Sequence, residues 1–393
     1  MKKRHLKAVF AMFLLAGGVL AGCSNTEKTA TTEKKEETKT EKTKQVEEEK
    51  QEINYGEAFK EAVTELAKAK EGQNVDFDKV MTIYTTKLQP LVQKRDAELQ
   101  ETIDQHITTV LNAGKDGSMD KVVVEQIFDK LMQKVFYTTI KQEFAEIEEN
   151  WDNKDAVKEE VEEAKEFYKI LQSTVEKRDA AYGTTLVDTI NGGFSEIESA
   201  VEKGDTLAFA FGKQVIDKTL MKTFYLATGA LPYGYATKAA AEAKKNAEEA
   251  KVEQAEGWAF YQSIYPYMKK YAAAEADYIL KQFDLQTDVK TLDPEAINKA
   301  FVRGLTKVAL NEYEESEENL GQDKSAVTAL EGALFIDMIG SDIKTLLGDQ
   351  AFTTLNDQAQ KYLEAAKAKN KEEGEKLLSQ IRATLQTVIE KAK

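Results

Sequence analysis

Apolar residues recur at steps of three and four from Tyr55 to the end of the chain. Within residues 125–140 this spacing puts Ile127, Leu131, Val135 and Phe136 on one helix face and sends Lys130, Gln133 and Lys134 to the opposite, solvent-facing side. Strand-like alternation is absent, and the four prolines stand far apart, at positions 90, 232, 266 and 294. The pattern predicts an all-α protein.

Three similar stretches, 84–99, 167–182 and 260–275, indicate internal duplication. The first two share the tetrapeptide Lys-Arg-Asp-Ala, and the first and third share a proline. A second block follows each stretch and ends at Tyr137, at Tyr225 and, more weakly, at Tyr313. Because a repeated unit buries its apolar face against its neighbours, we predict a helical bundle built from three to four internal repeats of about three helices each. The units are expected at about 75–160, 161–250, 251–325 and 326–393.

Some positions recur from copy to copy and are expected to fix the packing of the repeats. Arg95-Asp96 and Arg178-Asp179 are adjacent in the chain, so the members of a pair do not face each other on one helix. We expect each to reach a different helix and form an ion pair between units. The other structural positions are Phe136, Tyr137, Phe224, Tyr225, Trp258, Phe260 and Pro266.

Glycine, proline and capping residues predict where helices end. Breaks are expected at 112–117, at Gly192-Gly193, at 204–206 and at 292–295. In the last of these, Asp293 can cap a helix whose first turn holds Pro294, where no amide donor is missed.

The first 22 residues have the layout of a lipoprotein signal peptide. Four basic residues lie within positions 2–7, an apolar run covers 8–20, and Leu-Ala-Gly precedes Cys23, the single cysteine. The run is too short to span roughly 30 Å of hydrocarbon comfortably. We predict lipidation of Cys23, which would anchor the chain through lipid to the extracytoplasmic face of the cell membrane.

Residues 23–54 are predicted to form the lipidated cysteine and a disordered tether rich in Lys, Glu and Thr. Residues 24–52 hold one valine and no leucine, isoleucine or aromatic residue, which is too little apolar surface to offset the entropy of folding. The repetitive helical domain is therefore expected at 55–393.

The charge balance narrows the choice of partner. The formal net charge is −15, and it becomes −19 when the four cations of residues 1–22 are removed. An excess of this sign repels nucleic acid and attracts cations. We therefore predict no nucleic-acid partner.

Residue types exclude most catalytic chemistry. Apart from the signal peptide, the chain has one histidine, His106, and Cys23 is committed to lipid, so histidine-dependent nucleophiles and His-rich metal sites lack their residues. Gly192-Gly193 is not followed by the Lys-Ser/Thr of a phosphate loop. A carboxylate pair would need a defined separation that the sequence does not supply. We predict that the protein is not an enzyme.

Carboxylates and tyrosines remain, and their oxygens are the ligands that hard cations prefer. Glu166, Glu256 and Glu331 hold equivalent places in the repeats, and Tyr168 and Tyr261 follow the aromatic position in two copies. We predict these five residues as metal ligands, with iron or another oxygen-liganded cation as the cofactor. The alternative is that the tyrosines are core aromatics whose hydroxyls satisfy buried backbone or glutamate groups.

Residues 256–267, EGWAFYQSIYPY, follow an Ala/Glu/Lys-rich helix at 239–254 and resemble the low-iron-inducible periplasmic protein family, an algal-type iron-assimilation family with bacterial members. The similarity covers roughly 75–393 and carries over Glu256, Trp258, Phe260, Tyr261 and Pro266. The first copy departs from the pattern, with Lys79 or Val80 near the expected acidic position. The resemblance implies an extracytoplasmic helical protein that assists iron uptake without enzymatic activity.

Two functions from different classes follow. The first is a surface lipoprotein that binds a metal ion, with iron as the leading candidate, and presents it to an iron permease or reductase in the membrane. The second is a non-enzymatic cell-envelope scaffold that binds a partner protein or peptide through its helical repeats, with residues 225–235 as the contact surface.

Overall fold

The computed structural model describes residues 53–393, and every regular element in that range is helical. Cys23, the signal peptide and nearly all of the tether lie outside the described residues. The α-helices are α1 (Tyr55–Ala67), α2 (Phe77–Ile83), α3 (Gln89–Leu99), α4 (Ile103–Asp116), α5 (Lys121–Glu149), α6 (Lys154–Tyr182), α7 (Leu186–Lys203), α8 (Thr206–Thr228), α9 (Tyr235–Glu242), α10 (Ala247–Tyr261), α11 (Tyr265–Tyr271), α12 (Ala273–Phe283), α13 (Pro294–Glu318), α14 (Asp323–Met338), α15 (Gly340–Leu347), α16 (Asp349–Lys367) and α17 (Lys371–Lys391).

Short non-α segments connect some of these helices. A π-helical stretch, Tyr84–Leu88, joins α2 to α3, and 3₁₀ turns lie at Lys68–Glu71 and Val289–Thr291. The prediction of an all-α fold is confirmed. Across residues 53–393, we find no helix with both the length and the apolar character that a membrane crossing requires.

Helix α5 lies at the centre of the N-terminal half, in contact with α1, α4, α6 and α10. Lys130, Gln133 and Lys134 are therefore buried, with exposed fractions of 8%, 5% and 4%. The expectation that they face solvent is wrong, because the sequence pattern reports the apolar face of a helix but not how many neighbours cover its other faces.

The recurring aromatic positions lie in the core. The Phe136 ring centroid is 5.2 Å from that of Phe59 on α1 and 6.0 Å from that of Phe167 on α6. The Phe224 ring lies 5.3 Å from Tyr137 on α5. It also lies 5.6 Å from Phe260 on α10. These rings thus connect α5 to α1, α6 and α8, and α8 to α10.

Most predicted helix ends are confirmed. Gly117 and Gly204 end α4 and α7 in the left-handed conformation that glycine adopts without strain. Asp293 accepts hydrogen bonds from the amides of Glu295 and Ala296 at 3.0 and 3.1 Å, and Pro294 begins α13.

The predicted break at Gly192-Gly193 is wrong, since α7 runs through both glycines. Gly193 is instead the point where α7 approaches α8. A Cβ atom at this position would lie 2.7 Å from the Ile216 side chain and 3.2 Å from the Gly212 carbonyl oxygen. The missing side chain is therefore needed for close helix packing, which outweighs the low helix propensity of glycine.

The two Arg-Asp pairs do not form the predicted ion pairs between units. Asp96 accepts from the first two amides of α4, both at 2.8 Å. Asp179 accepts from the first two amides of α7, at 2.7 and 3.0 Å. Each aspartate caps the next helix because the chain turns back within a few residues. Arg95 pairs with Glu98 on its own helix at 2.9 Å. In the third copy the aspartate is replaced by Ala272, and α12 begins without a side-chain cap.

Alanine substitutions at the two adjacent glycines test the close approach of α7 and α8. We expect Gly193→Ala to lower the free energy of unfolding by about 1–3 kcal/mol, because its Cβ would overlap Ile216. Gly192→Ala is the matched control: no atom lies within 4 Å of its added Cβ, and higher helix propensity should raise stability by about 0.5–1 kcal/mol. Urea denaturation measures both, and equal effects of the two changes would contradict the packing shown here.

Candidate functional site

The five residues predicted as metal ligands lie in separate environments. Glu166 is exposed and pairs with Lys169 at 2.5 Å. Tyr168 is buried beside Phe194, with ring centroids 5.7 Å apart. Tyr261 is fully buried and donates to the Ala276 carbonyl oxygen at 3.0 Å. The last contact is the one expected of a core tyrosine whose hydroxyl satisfies the backbone.

The other two glutamates face buried lysines. Glu331 lies 3.1 Å from the ammonium of Lys218. Glu256 receives a hydrogen bond from the Tyr235 hydroxyl. Against the lowering effect of burial, the charges of Asp129 and Glu256 raise the pKa of Lys130. Recurrence of these two acids thus coincides with a recurring need to balance a lysine inside the protein.

Trp258 and Pro266, the remaining residues carried by the resemblance, have structural surroundings. The Trp258 ring lies edge-on to His106, with centroids 5.4 Å apart. Pro266 stands in the first turn of α11, where no amide donor is lost.

Within residues 53–393, three carboxylates converge where α5 packs against α6. One oxygen each from Glu143, Glu146 and Glu160 lies within 4.8 Å of the others. Glu143 and Glu146 are three residues apart on α5 and so share a face. A short turn reverses the chain into α6 and places Glu160 opposite them. We name these three residues the Glu143 cluster.

Burial and negative charge make the Glu143 cluster retain a proton. Burial, a hydrogen bond to Glu160 and the charges of Glu163, Glu160 and Glu146 raise the pKa of Glu143 to about 10. Glu143 is only 7% exposed, whereas Glu146 and Glu160 are half-buried. The Lys94 ammonium lies 3.7 Å from Glu146. The cluster can thus take up a proton or another cation from the solvent side.

Tyr55, at the start of α1, and Arg95, on α3, interact electrostatically near this cluster. Burial and the charge of Glu163 raise the pKa of Tyr55, Arg95 lowers it, and Glu143 raises it. Arg95 is 3% exposed, and its Nε and Nη1 atoms have no hydrogen-bond partner. The carboxylate oxygens of the Glu143 cluster are hard ligands of the kind that calcium, magnesium or ferric iron prefer.

The spacing of the Glu143 cluster fits such an ion. Metal–oxygen distances of about 2.0–2.6 Å allow ligand oxygens up to roughly 5 Å apart around one cation. Sequence reasoning missed the cluster because it does not recur in the repeats. The available signal was a pair of Glu-x-x-Glu spacings, 143/146 and 160/163, on two helices joined by a short turn, but the chain holds 69 acidic residues that obscure it.

A second buried polar group contains Glu331 and lies between α8, α11, α13 and α14. We name Asp217, Lys218, Tyr267, Glu312 and Glu331 the Lys218 cluster. Lys218 is 3% exposed and lies 2.7 Å from Asp217. Tyr137 also donates to Asp217, at 2.6 Å.

The shared proton of the Glu143 cluster predicts a pH dependence of stability. The folded protein holds this proton up to a pKa of about 10, and the ordinary value is 4.5. The stabilisation is therefore complete below pH 4.5 and is lost as the pH rises toward 10. The variant Glu143→Gln has a neutral side chain at every pH. We expect its free energy of unfolding to exceed that of the wild type by on the order of 2 kcal/mol at pH 8, and by much less at pH 5.

Urea denaturation across this pH range measures the difference. Glu149→Gln, on the exposed end of the same helix, is the control and should leave the pH profile unchanged. Identical profiles for Glu143→Gln and the wild type would show that Glu143 ionises normally in the folded state.

No protein-family model, curated protein or solved structure matches the chain. The resemblance to the low-iron-inducible periplasmic family therefore stays a prediction that rests on residues 256–267.

Proposed function

We propose that the protein is an extracytoplasmic, lipid-anchored protein that binds a hard cation, with iron as the leading candidate, and assists its uptake through a membrane permease. The observation that carries the proposal is the convergence of Glu143, Glu146 and Glu160 on one another. Carboxylates held this close repel each other unless a proton or a cation lies between them. The acidic excess of the chain supports the same conclusion, because it concentrates cations near the surface.

Binding at the Glu143 cluster would exchange one cation for one proton. At neutral pH, Glu143 holds its proton because its pKa is raised to about 10. A metal ligand must be deprotonated, so an entering ion displaces that proton. Affinity should then fall with decreasing pH, and proton release reports binding directly.

Calorimetric titration of the purified protein with ferric citrate, ferrous, manganous and calcium ions tests the proposal. We expect binding of at least one ion with release of about one proton per ion at pH 7. Melting temperature should rise as well, since a ligand at a hundredfold excess over its Kd stabilises the folded state by about 2.7 kcal/mol.

The variants Glu143→Gln and Glu160→Gln should each weaken binding. Glu166→Gln removes an exposed glutamate of α6 and is the matched control, expected to bind as the wild type does. Absence of heat and of thermal shift with all four ions, or equal loss in the control, would contradict a cation site at this cluster.

We also infer that the domain is built from three to four internal repeats of about three helices each. Lys130 and Lys218 occupy matching places in their units, and each lies over the phenylalanine four residues after a repeated glutamate. The Lys130 ammonium is 5.4 Å from the Phe260 centroid, and that of Lys218 is 5.5 Å from Phe335. The paired caps by Asp96 and Asp179 support the same equivalence.

A specific surface feature favours the scaffold as the second candidate. Among the described residues, the exposed large apolar side chains are Leu99, Leu231 and Tyr233, and two of these lie in the loop between α8 and α9. Tyr225, at the other end of the segment predicted as a contact surface, is buried and donates to Asp342 at 2.7 Å. The contact surface would therefore be residues 231–233, which are the exposed part of this loop.

Crosslinking on intact cells tests the scaffold. If the loop binds a partner, a crosslinked species should form with the wild type and be lost when Leu231 and Tyr233 are both changed to serine. Leu99→Ser removes the remaining exposed apolar side chain and should retain it. A crosslinked species that still forms with the double serine variant would show that the partner does not bind this loop.

A further inference from the structure

The Lys218 cluster joins four helices through one polar group. The Lys218 ammonium on α8 lies 2.7 Å from Asp217 and 3.1 Å from Glu331 on α14. Tyr267 on α11 donates to Glu312 on α13 at 2.7 Å. These contacts link α8, α11, α13 and α14 at a single place in the core.

Aromatic rings cover the cluster. The Lys218 ammonium lies 4.8 Å from the centroid of Tyr267 and 5.5 Å from that of Phe335. The two rings stack on each other, with centroids 5.6 Å apart and an angle of 28° between their planes. Because water has little access, an unbalanced charge here is costly.

The cluster holds more acids than bases. Its three carboxyl groups are those of Asp217, Glu331 and Glu312. The Lys218 ammonium lies among them, and that of the partly exposed Lys141 lies 3.5 Å from Asp217. Lys270 and Glu315, which also act on Glu312, carry opposite charges that cancel in the count. With all groups ionised, one negative charge is left over. One proton on a carboxyl group balances the cluster.

Glu312 is the carboxyl group placed to take that proton. Lys218 pairs with Asp217 and Glu331, whereas Glu312 receives its hydrogen bond from Tyr267. The charged groups that act on Glu312 are Lys218 from α8, Lys270 from α11, Glu331 from α14 and Glu315 on its own helix. Asp217 from α8 acts on Tyr267, the hydrogen-bond partner of Glu312. Burial and Glu331 raise the pKa of Glu312 to about 7, although Tyr267 and Lys218 oppose the change.

We propose that the Lys218 cluster is a proton-operated clamp in which a protonated Glu312 holds α11 and α13 against α8 and α14, and ionisation of Glu312 loosens them. The sign follows from linkage. A carboxyl group that binds its proton more tightly in the closed state stabilises that state at low pH. The stabilisation is lost as the pH rises through 7, which is within the pH range in which cells ordinarily live.

Amide hydrogen exchange of the full purified protein at pH 6 and pH 8, corrected for the intrinsic rates, tests the clamp. With a pKa of about 7 in the closed state and an ordinary value of 4.5 in the open state, local opening should increase about tenfold between these pH values. The increase is expected in peptides from α11 and α13, and not in peptides from α4, whose packing partners are α2, α3 and α5. An equal increase in all helices, or none, would overturn the proposal.

The variant Glu312→Gln keeps the hydrogen bond from Tyr267 but cannot ionise, so protection of α11 and α13 should become independent of pH. Glu314→Gln, an exposed glutamate on the same helix, is the matched control and should retain the tenfold change. A Glu312→Gln protein that still loosens at pH 8 would show that another group operates the change. Should that variant fail to fold, the wild-type comparison of α11 and α13 with α4 decides the question alone.

Discussion

The interior of this protein is constrained by the charge that its central helices bring into it. Helices α5 and α8 are covered on nearly all sides, yet each carries an Asp-Lys pair, Asp129-Lys130 and Asp217-Lys218, inside the bundle. A buried charge without a partner would cost several kcal/mol. Each lysine pairs with the aspartate before it, and α10 and α14 bring Glu256 and Glu331 to the same places, so acidic groups outnumber basic ones there.

This constraint explains why the recurring glutamates lie in separate environments. Glu256 and Glu331 stand at equivalent positions, and the negative charge of each acts on a buried lysine. Glu166, the third member, instead faces solvent beside Lys169. A position that repeats because units must pack in the same way looks, in the sequence, the same as one that repeats because each unit binds an ion. The Glu143 cluster does not repeat and is held by a junction between two helices, which a search for repeats passes over.

Features that depend on residues close together in the chain could be predicted from the sequence, whereas burial by helices distant in the chain could not. The helix periodicity, the glycine ends of α4 and α7 and the Asp293 cap depend on residues close in the chain, and they were predicted correctly. The continuation of α7 through Gly193 depends on α8, and the burial of Lys130 depends on α10. The clusters likewise exist only because separate helices meet.

The two clusters face the same electrostatic problem, and access to solvent separates their solutions. In each, carboxyl groups outnumber the nearby bases, so something positive must be added. Around Glu312 the rings of Tyr267 and Phe335 close the space, and the smallest cation, a proton, is the one that can enter. In the Glu143 cluster, Glu146 and Glu160 are partly exposed. A larger ion can therefore reach the carboxylate oxygens and exchange for the proton. In the two proposals made above, the same excess of carboxylates serves conformational control where it is sealed and cation binding where it is open.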